Sequence, residues 1–187
     1  SMHVEEKRAI ARETVKMLRE GDTIFLDSGT TVFLFALALN EEVQQKRLKN
    51  IRVFTNSFMI VDNLNQLISV NLAGGEYRSH RKDFCGYVTE KVIKEFHYNR
   101  CILGTDGFSA ESGFSTTDFN TARICEAAIS RSDNVIVLMD SHKFDNPATI
   151  SYSMGENISA VVIDDGVTEE HKKMLTDAGV PVIVAKK

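Results

Sequence analysis

The sequence predicts an α/β domain with a mostly parallel sheet and helices on both faces. Its 187 residues suit a single domain. Short β-rich runs alternate with segments of helical periodicity along the whole length. No linker or internal repeat interrupts the pattern, and the chain has only two prolines. Strands that alternate with helices pair in parallel, because each helix returns the chain to the same edge of the sheet.

The first half of the chain begins with a predicted helix at 5–20, where Ile10 and Leu18 share one apolar stripe. A buried strand follows at 23–26. The next segment, 32–39, is apolar all round, which is typical of a buried helix. The remaining elements of this half are a strand at 51–55, a helix at 58–67 and a strand at 68–73.

The second half continues the alternation and ends in a helix predicted at 168–178. Glu169 and Glu170 suit the positive end of that helix dipole, and Gly179 suits its exit. The other expected elements are a helix at 88–96, a strand at 100–104, a helix at 121–130, a strand at 134–139, a short strand at 150–154, and strands at 160–163 and 180–184.

The charge and hydropathy of the chain argue against two classes of partner. Twenty-two basic and 26 acidic residues give a net charge of -4 and a pI near 5.7. That pI lies well below the range expected of a free-standing nucleic-acid-binding surface. The longest apolar run has eight residues, less than half of what a membrane-spanning helix needs. No membrane partner is therefore expected.

The three cysteines indicate a reducing compartment. Cys85, Cys101 and Cys125 form no CxxC pair, so neither a disulfide framework nor a zinc knuckle is indicated. With no signal peptide, a cytoplasmic protein is expected. Residues 1–2 are expected to remain from a cleaved expression tag, which makes the chain part of a longer protein.

The first candidate ligand site follows the first strand. Asp27, Ser28, Gly29, Thr30 and Thr31 form a small, hydroxyl-rich turn that opens onto a helix. The glycine permits close approach of the backbone, and the first helical N–H groups are unpaired donors at the positive end of the dipole. Phosphate binding is one interpretation and a plain helix N-cap is the other. Neither the P-loop nor the dinucleotide glycine motif is present, so a nucleoside triphosphate is not favoured.

Two further strand ends carry polar groups that would meet this turn at one edge of a parallel sheet. Asn56 follows the second strand, with a helix cap as its alternative reading. Gly74 and Gly75 end the third strand, and the guanidinium of Arg78 follows three residues later. That guanidinium suits a bidentate grip on phosphate, whereas an arginine exposed in a solvated loop is the alternative.

The fourth and fifth strands end in charged turns. Asp106 can accept hydrogen bonds from sugar hydroxyls, act as a base, or make an Asx-turn. Lys143 can neutralise a phosphate. Together these strand ends predict a pocket for a small phosphorylated polyol, with no cofactor. No metal is expected either, because four histidines, His3, His80, His97 and His171, have no ligand spacing and suit the surface.

A set of short segments occurs in a specific order along the chain: 6–11, 21–31, 55–57, Gly74-Gly75 with Arg78, 103–107, 113–117, 140–144 and 163–165. Together they resemble the effector-sensing domain of DeoR-family transcriptional regulators, from about residue 5 to the end. The resemblance implies a Rossmann-like domain similar in fold to ribose-5-phosphate isomerases. It also implies one effector-binding domain over 1–187 that forms a homo-oligomer, either a dimer or a tetramer.

The same resemblance implies a function. Such domains bind a phosphorylated sugar and control an N-terminal winged helix-turn-helix on operator DNA, commonly as repressors of sugar metabolism. That head is expected to be missing from this chain, so DNA would be bound only through it. By position, 27–31 match the family's phosphate loop, while Arg78, Asp106 and Lys143 fall in its other conserved turns. Cys125 stands where the family often has a lysine, so no ligand contact is expected there.

Two alternatives remain beside a non-catalytic sensor. A sugar-phosphate isomerase would use the same pocket with Asp106 as the base, because isomerisation needs a positioned base with a tuned pKa. The glycine-rich lysine segment of ribose-5-phosphate isomerases has no counterpart here, which favours a sensor that is not an enzyme. A pure oligomerisation domain would bind no ligand at all.

Overall fold

The strand Thr23–Leu26 (β1) lies inside a seven-stranded sheet in which every pairing is parallel. The structure is a computed structural model that describes residues 2–64, 66–144, 146 and 148–187. Strands are numbered along the chain, and the spatial order is β12-β11-β9-β6-β1-β2-β3. The other strands of this sheet are β2 (Arg52–Thr55), β3 (Ser69–Leu72), β6 (Tyr98–Gly104), β9 (Ser132–Met139), β11 (Ala160–Asp164) and β12 (Val182–Ala185).

In the part of the chain that the structure describes, six α-helices cover the sheet, three on each face. Their bounds are α1 (Val4–Val15), α2 (Thr30–Gln44), α3 (Phe58–Asn63), α4 (Tyr87–Lys94), α5 (Phe119–Ile129) and α6 (Glu169–Asp177). A 3-10 turn, Ser141–Phe144, follows β9. Within the described residues no helix is long and apolar enough to cross a lipid bilayer.

The inner strands bury both of their faces, because successive side chains point to opposite sides. In β1, Ile24 and Leu26 pack on the side of α1, α2 and α3, whereas Phe25 packs on the side of α4, α5 and α6. In β6, Ile102 packs on the side of α1, α2 and α3, and Cys101 packs on the side of α4, α5 and α6. Full burial of one such side chain contributes about 1.5–3 kcal/mol, so the sheet is stabilised from both sides. The predicted α/β class with helices on both faces is confirmed.

Three helices differ in length from their predictions. Helix α1 ends at Val15 and not near residue 20, and α3 ends at Asn63 and not near 67. Helix α2 extends to Gln44, beyond the apolar run. The run is also not buried all round, because Leu37 is exposed on the outer side of α2.

Five short strands lie outside the parallel sheet, and only β10 was predicted. Three form an antiparallel sheet: β7 (Gly107–Ser109), β8 (Gly113–Thr116) and β10 (Ile150–Ser153). Two form a hairpin: β4 (Glu76–Arg78) and β5 (Asp83–Cys85). Gly113 has φ 64, and a Cβ there would lie 2.2 Å from the Ser153 carbonyl oxygen, so the small sheet requires glycine at this turn.

The order of the sheet reverses between β1 and β6. From β1 the chain proceeds through β2 to β3 on one side, while β6, β9, β11 and β12 extend on the other. At such a point the loops after the two strands separate and leave a cleft beyond their carboxyl ends. Asp27 follows β1 directly, and Thr105 follows β6. The fold therefore places the polar turns on either side of one cleft.

Candidate functional site

A cavity of about 210 Å³ occupies this cleft. Seven of the eleven residues predicted to bind the ligand lie around it: Asp27, Ser28, Gly29, Thr30, Thr31, Asp106 and Lys143. They come from three separate segments, the turns after β1, β6 and β9. The convergence of these turns follows from the parallel sheet, which brings the ends of neighbouring strands to one edge.

The N-terminus of α2 forms one wall of the cavity. Gly29 is its N-cap residue with φ 136, and no side chain within the described residues caps this helix. The first N–H groups of a helix have no intrahelical acceptor, so those of α2 are left to a ligand or to water. Thr30 and Thr31 add hydroxyl groups beside them. The hydroxyl of Ser28 is otherwise engaged, since it donates to Asp83 Oδ2 at 2.6 Å.

Three cationic side chains surround the same cavity: Lys7, Arg81 and Lys143. Lys7 projects from α1 and is only 9% exposed, and its burial lowers the pKa of the ammonium. Lys143 lies in the 3-10 turn with its Nζ 4.0 Å from Asp140 Oδ2. Arg81 lies in the turn between β4 and β5, and its Nε is 3.3 Å from Asp83 Oδ2. An uncapped helix end and three cations make the cavity suitable for an anion.

Asp27 contributes a buried carboxyl group to the cavity wall. Its Oδ2 accepts from the Gly104 N–H at 3.0 Å and from the Cys125 thiol at 3.7 Å. Its Oδ1 has no hydrogen-bond partner among the described residues. Burial raises the pKa of Asp27 to about 7, against smaller opposing effects of the Gly104 N–H hydrogen bond and of Arg81. A carboxyl group with a pKa near 7 can hydrogen-bond a ligand hydroxyl through Oδ1, but it offers no positive charge to a phosphate.

Asp106 also lines the cavity and is held by β8 and the residue that follows it. Its Oδ2 accepts from the Thr116 hydroxyl and from the Thr117 N–H, both at 3.0 Å. Its own N–H donates to the Ser115 carbonyl at 2.8 Å. These bonds orient the carboxylate at the cavity, where it can accept from ligand hydroxyls.

The sequence predicted that Arg78 contacts the phosphate, but Arg78 lies outside the cavity lining. Its guanidinium donates to both oxygens of Asp83, Nε to Oδ1 at 2.8 Å and Nη2 to Oδ2 at 3.0 Å, and it also binds Asp118. The β4–β5 pairing sets Arg78 directly opposite Asp83, which explains this engagement. The arginine that lines the cavity is Arg81, three residues further along.

Asn56, Gly74 and Gly75 also lie outside the cavity lining. The Asn56 amide nitrogen donates to the Phe84 carbonyl at 2.9 Å. The Gly74 carbonyl accepts from the Thr89 hydroxyl at 2.7 Å. Gly75 packs so closely on α4 that a Cβ would lie 2.1 Å from Thr89 Oγ1. These contacts join Asn56 to β5 and the Gly74-Gly75 turn to α4.

Sequence reasoning missed Lys7 and Arg81. Lys7 lies in the 6–11 segment that contributed to the family resemblance, but its distance along the chain from every strand end gave it no role. Arg81 depended on the β4–β5 hairpin, which was not predicted. The three cysteines are all buried, and the Cys125 thiol contacts Asp27.

A family model described as the DeoR C terminal sensor domain matches residues 2–165. The chain is 30% identical over 175 residues to the glycerol-3-phosphate regulon repressor of Escherichia coli K12, covering 92% of this chain and 67% of that one. It is 31% identical over 168 residues to the lactose phosphotransferase system repressor of Streptococcus mutans, covering 88% and 64%. The chain thus spans about two thirds of the length of these curated relatives.

Solved structures share the fold at low sequence identity. Ribose 5-phosphate isomerase A from Methanocaldococcus jannaschii has a TM-score of 0.54 and 18% identity, covering 80% of this chain and 56% of that one. The eIF2B delta protein from Chaetomium thermophilum has a TM-score of 0.58 and 16% identity, covering 85% and 55%. The similarity to ribose-5-phosphate isomerases expected of the fold is therefore confirmed.

Proposed function

Since the chain belongs to the family of DeoR C-terminal sensor domains, we propose that it senses a phosphorylated sugar or polyol on behalf of a transcription regulator. The observation that carries this proposal is the cavity between β1 and β6. It joins the uncapped end of α2 to the cations Lys7, Arg81 and Lys143.

In this proposal the phosphate docks at the N-terminus of α2. The hydroxyls of Thr30 and Thr31 and the neighbouring amides supply hydrogen bonds, and Lys143 and Lys7 balance the charge. The protein as a whole carries a net charge of -4, but the local field at the cavity is set by these groups. A dianion at this helix end is thereby favoured although the rest of the surface repels it.

The remainder of the ligand would lie between two carboxyl groups. Asp27 Oδ1 lacks a protein partner in the described part of the chain, and Asp106 lines the same cavity. Carboxyl oxygens accept hydrogen bonds from hydroxyl groups, so both suit a polyol attached to the phosphate. A free phosphate would offer Asp27 Oδ1 no such hydroxyl.

The relatives support the same ligand class. One is a repressor of a glycerol-3-phosphate regulon, and another is a repressor of a lactose phosphotransferase system. In this proposal the chain acts in the cytoplasm as part of a homo-oligomer and contacts operator DNA only through a separate helix-turn-helix. The ligand can change DNA binding only as far as it binds two arrangements of the protein with different affinity.

The decisive experiment compares phosphorylated and unphosphorylated ligands of the same carbon skeleton. Triose, pentose and hexose phosphates and polyol phosphates are screened by thermal shift and then by calorimetry. A ligand at 100 times its Kd should stabilise the folded state by about 2.7 kcal/mol. The unphosphorylated partners and sulfate serve as controls, and a flat response to the whole panel contradicts the proposal.

An isomerase is the second candidate, because Asp106 and Asp27, whose pKa is about 7, both line the cavity. The protein would then interconvert an aldose phosphate and a ketose phosphate. We expect no turnover by NMR with the protein at high concentration. Interconversion that disappears in Asp106→Asn or in Asp27→Asn would replace the sensor with an enzyme.

A further inference from the structure

We propose that His3, Asp140 and His142 form a binding site for a divalent transition-metal ion such as Zn²⁺. One ligand atom from each of the three side chains can be chosen so that all lie within 4.8 Å of one another. His3 immediately precedes α1, Asp140 follows β9, and His142 lies in the 3-10 turn. The site would therefore join the start of the described chain to the turn that carries Lys143.

The ligand set has the composition that such metals prefer. Two imidazoles and one carboxylate form the protein part of many zinc sites, with the remaining positions left to water or to a ligand. The two imidazole rings are stacked with centroids 3.6 Å apart and planes 12° apart. His142 Nδ1 lies 3.4 Å from Asp140 Oδ1, so the three groups are already in contact.

Asp140 provides an independent indication of a ligand. The residue is 1% exposed, and its Oδ1 accepts from the His142 N–H at 3.0 Å. Its Oδ2 has no hydrogen-bond partner within the described residues. A buried carboxylate oxygen without a partner is unfavourable, and coordination of a cation would satisfy it.

A second cavity, of about 420 Å³, gives access to the cluster. It is lined by the three proposed ligands, His3, Asp140 and His142. It is also lined by three residues that line the cavity between β1 and β6, namely Lys7, Asp106 and Lys143. A metal ion here would have room for water on its open side. It would also lie beside the anion pocket.

The two lysines set the expected strength of the site. Lys143 Nζ is 4.0 Å from Asp140 Oδ2, and Lys7 interacts with the same carboxylate. Their charges oppose that of the metal, so three ligands beside two ammonium groups favour moderate affinity. The alternative role of Asp140 is that of a counter-ion for the lysines alone, and this alternative predicts that no metal binds.

The test is a titration of the tag-free protein with Zn²⁺ by calorimetry and with Co²⁺ by visible absorption, in a buffer that does not bind metals. We expect one ion per chain in the micromolar range. His142→Ala is the decisive variant, because His142 contacts both of the other proposed ligands.

We expect His3→Ala, His142→Ala and Asp140→Asn each to weaken Zn²⁺ binding at least tenfold. His97→Ala is the matched control, because His97 also contacts a carboxylate, Asp133 at 2.7 Å, and should bind as the parent does. His142 is exposed, so its variant is expected to fold normally, and circular dichroism checks this. The site is refuted if the parent binds no tighter than millimolar, or if His3→Ala and His142→Ala bind as tightly as the parent. Neither result depends on the sugar-phosphate proposal.

Discussion

The thiol of Cys125 donates a hydrogen bond to Oδ2 of Asp27 across 3.7 Å, and both residues are buried. Burial raises the pKa of both groups, that of Asp27 to about 7. A lysine, which the DeoR resemblance leads one to expect at position 125, would hold Asp27 ionised. With cysteine there, the Gly104 N–H hydrogen bond and, less strongly, the charge of Arg81 lower the pKa of Asp27, but together they do not offset burial.

We predict that Asp27→Asn stabilises the protein at neutral pH and above. The folded-state pKa of Asp27 lies near 7 and its ordinary value is 3.8, so its favourable contribution is complete below pH 4 and is lost as the pH rises through 7. At about 1.4 kcal/mol per pH unit, the shift from 3.8 to about 7 should place the parent below the variant by on the order of 4 kcal/mol at pH 8. Urea unfolding at pH 4.5 and pH 8 measures this difference. A difference that does not change with pH contradicts the assignment.

Arg78→Ala should destabilise the fold. It leaves Asp83, whose side chain is fully buried, without its two-point partner, and loss of one member of such a pair typically costs about 3–5 kcal/mol. Chemical unfolding measures the change. Arg8→Ala, which removes an exposed ion pair with Glu5, is the control and should change stability by less than about 0.5 kcal/mol. Equal effects of the two substitutions would show that the Arg78 pair is not structural.

Lys143→Ala and Lys7→Ala should each weaken binding of the phosphorylated ligand about tenfold or more. Each removes a cation from the cavity, and a charge-assisted hydrogen bond contributes about 1.5–3 kcal/mol. Calorimetry at two salt concentrations measures the affinity and its salt dependence. Lys173→Ala is the control, because Lys173 is exposed and pairs with Asp177 away from the cavity. Affinities that match the parent in both cavity variants would remove the phosphate assignment.

Gly75→Ala should cost stability without a direct effect on the ligand. A Cβ at Gly75 would lie 2.1 Å from Thr89 Oγ1 and 2.9 Å from the Cys85 carbonyl oxygen, and φ is 156. Backbone atoms cannot move aside cheaply, so we expect a loss of about 2 kcal/mol or more. Thermal unfolding measures it, and Gly74→Ala is the control because its Cβ meets nothing within 4 Å. Weaker ligand binding by the folded variant would instead place Gly75 in the site.

The parallel sheet and its helices could be predicted from the sequence, because the pattern of apolar residues that marks each element is local to it. The continuous apolar runs in β1 and β6 and the apolar stripe of α1 depend only on neighbours in the chain. The β4–β5 hairpin and the β7–β8 pair did not show such signals. They are short hairpins rich in glycine and polar residues, and none carries the continuous apolar run of a buried parallel strand.

The residues of the site were predicted where their signal is local in sequence and missed where it depends on tertiary packing. The 27–31 turn could be found because its chemistry is local, a glycine and hydroxyls before a helix. Lys7 reaches the cavity only because α1 packs on the sheet, and Arg81 only because the hairpin turns there. Arg78 carries the positive charge that a phosphate contact needs and follows the third strand closely in sequence. In the structure its guanidinium pairs with Asp83 and Asp118, and no spacing rule reveals such partners.

Lys7 gives helix α1 two roles at once. Ala9 and Ile10 hold the helix in the hydrophobic core, and one turn earlier the ammonium group lines the cavity. Filling the cavity with an anion therefore changes the free energy of docking the first turn of α1. Reciprocity requires the converse: whatever holds or loosens that turn from outside must shift the affinity of the cavity by the same factor. A measurement of ligand affinity is therefore also a measurement of how firmly the first turn of α1 is held against the rest of the protein.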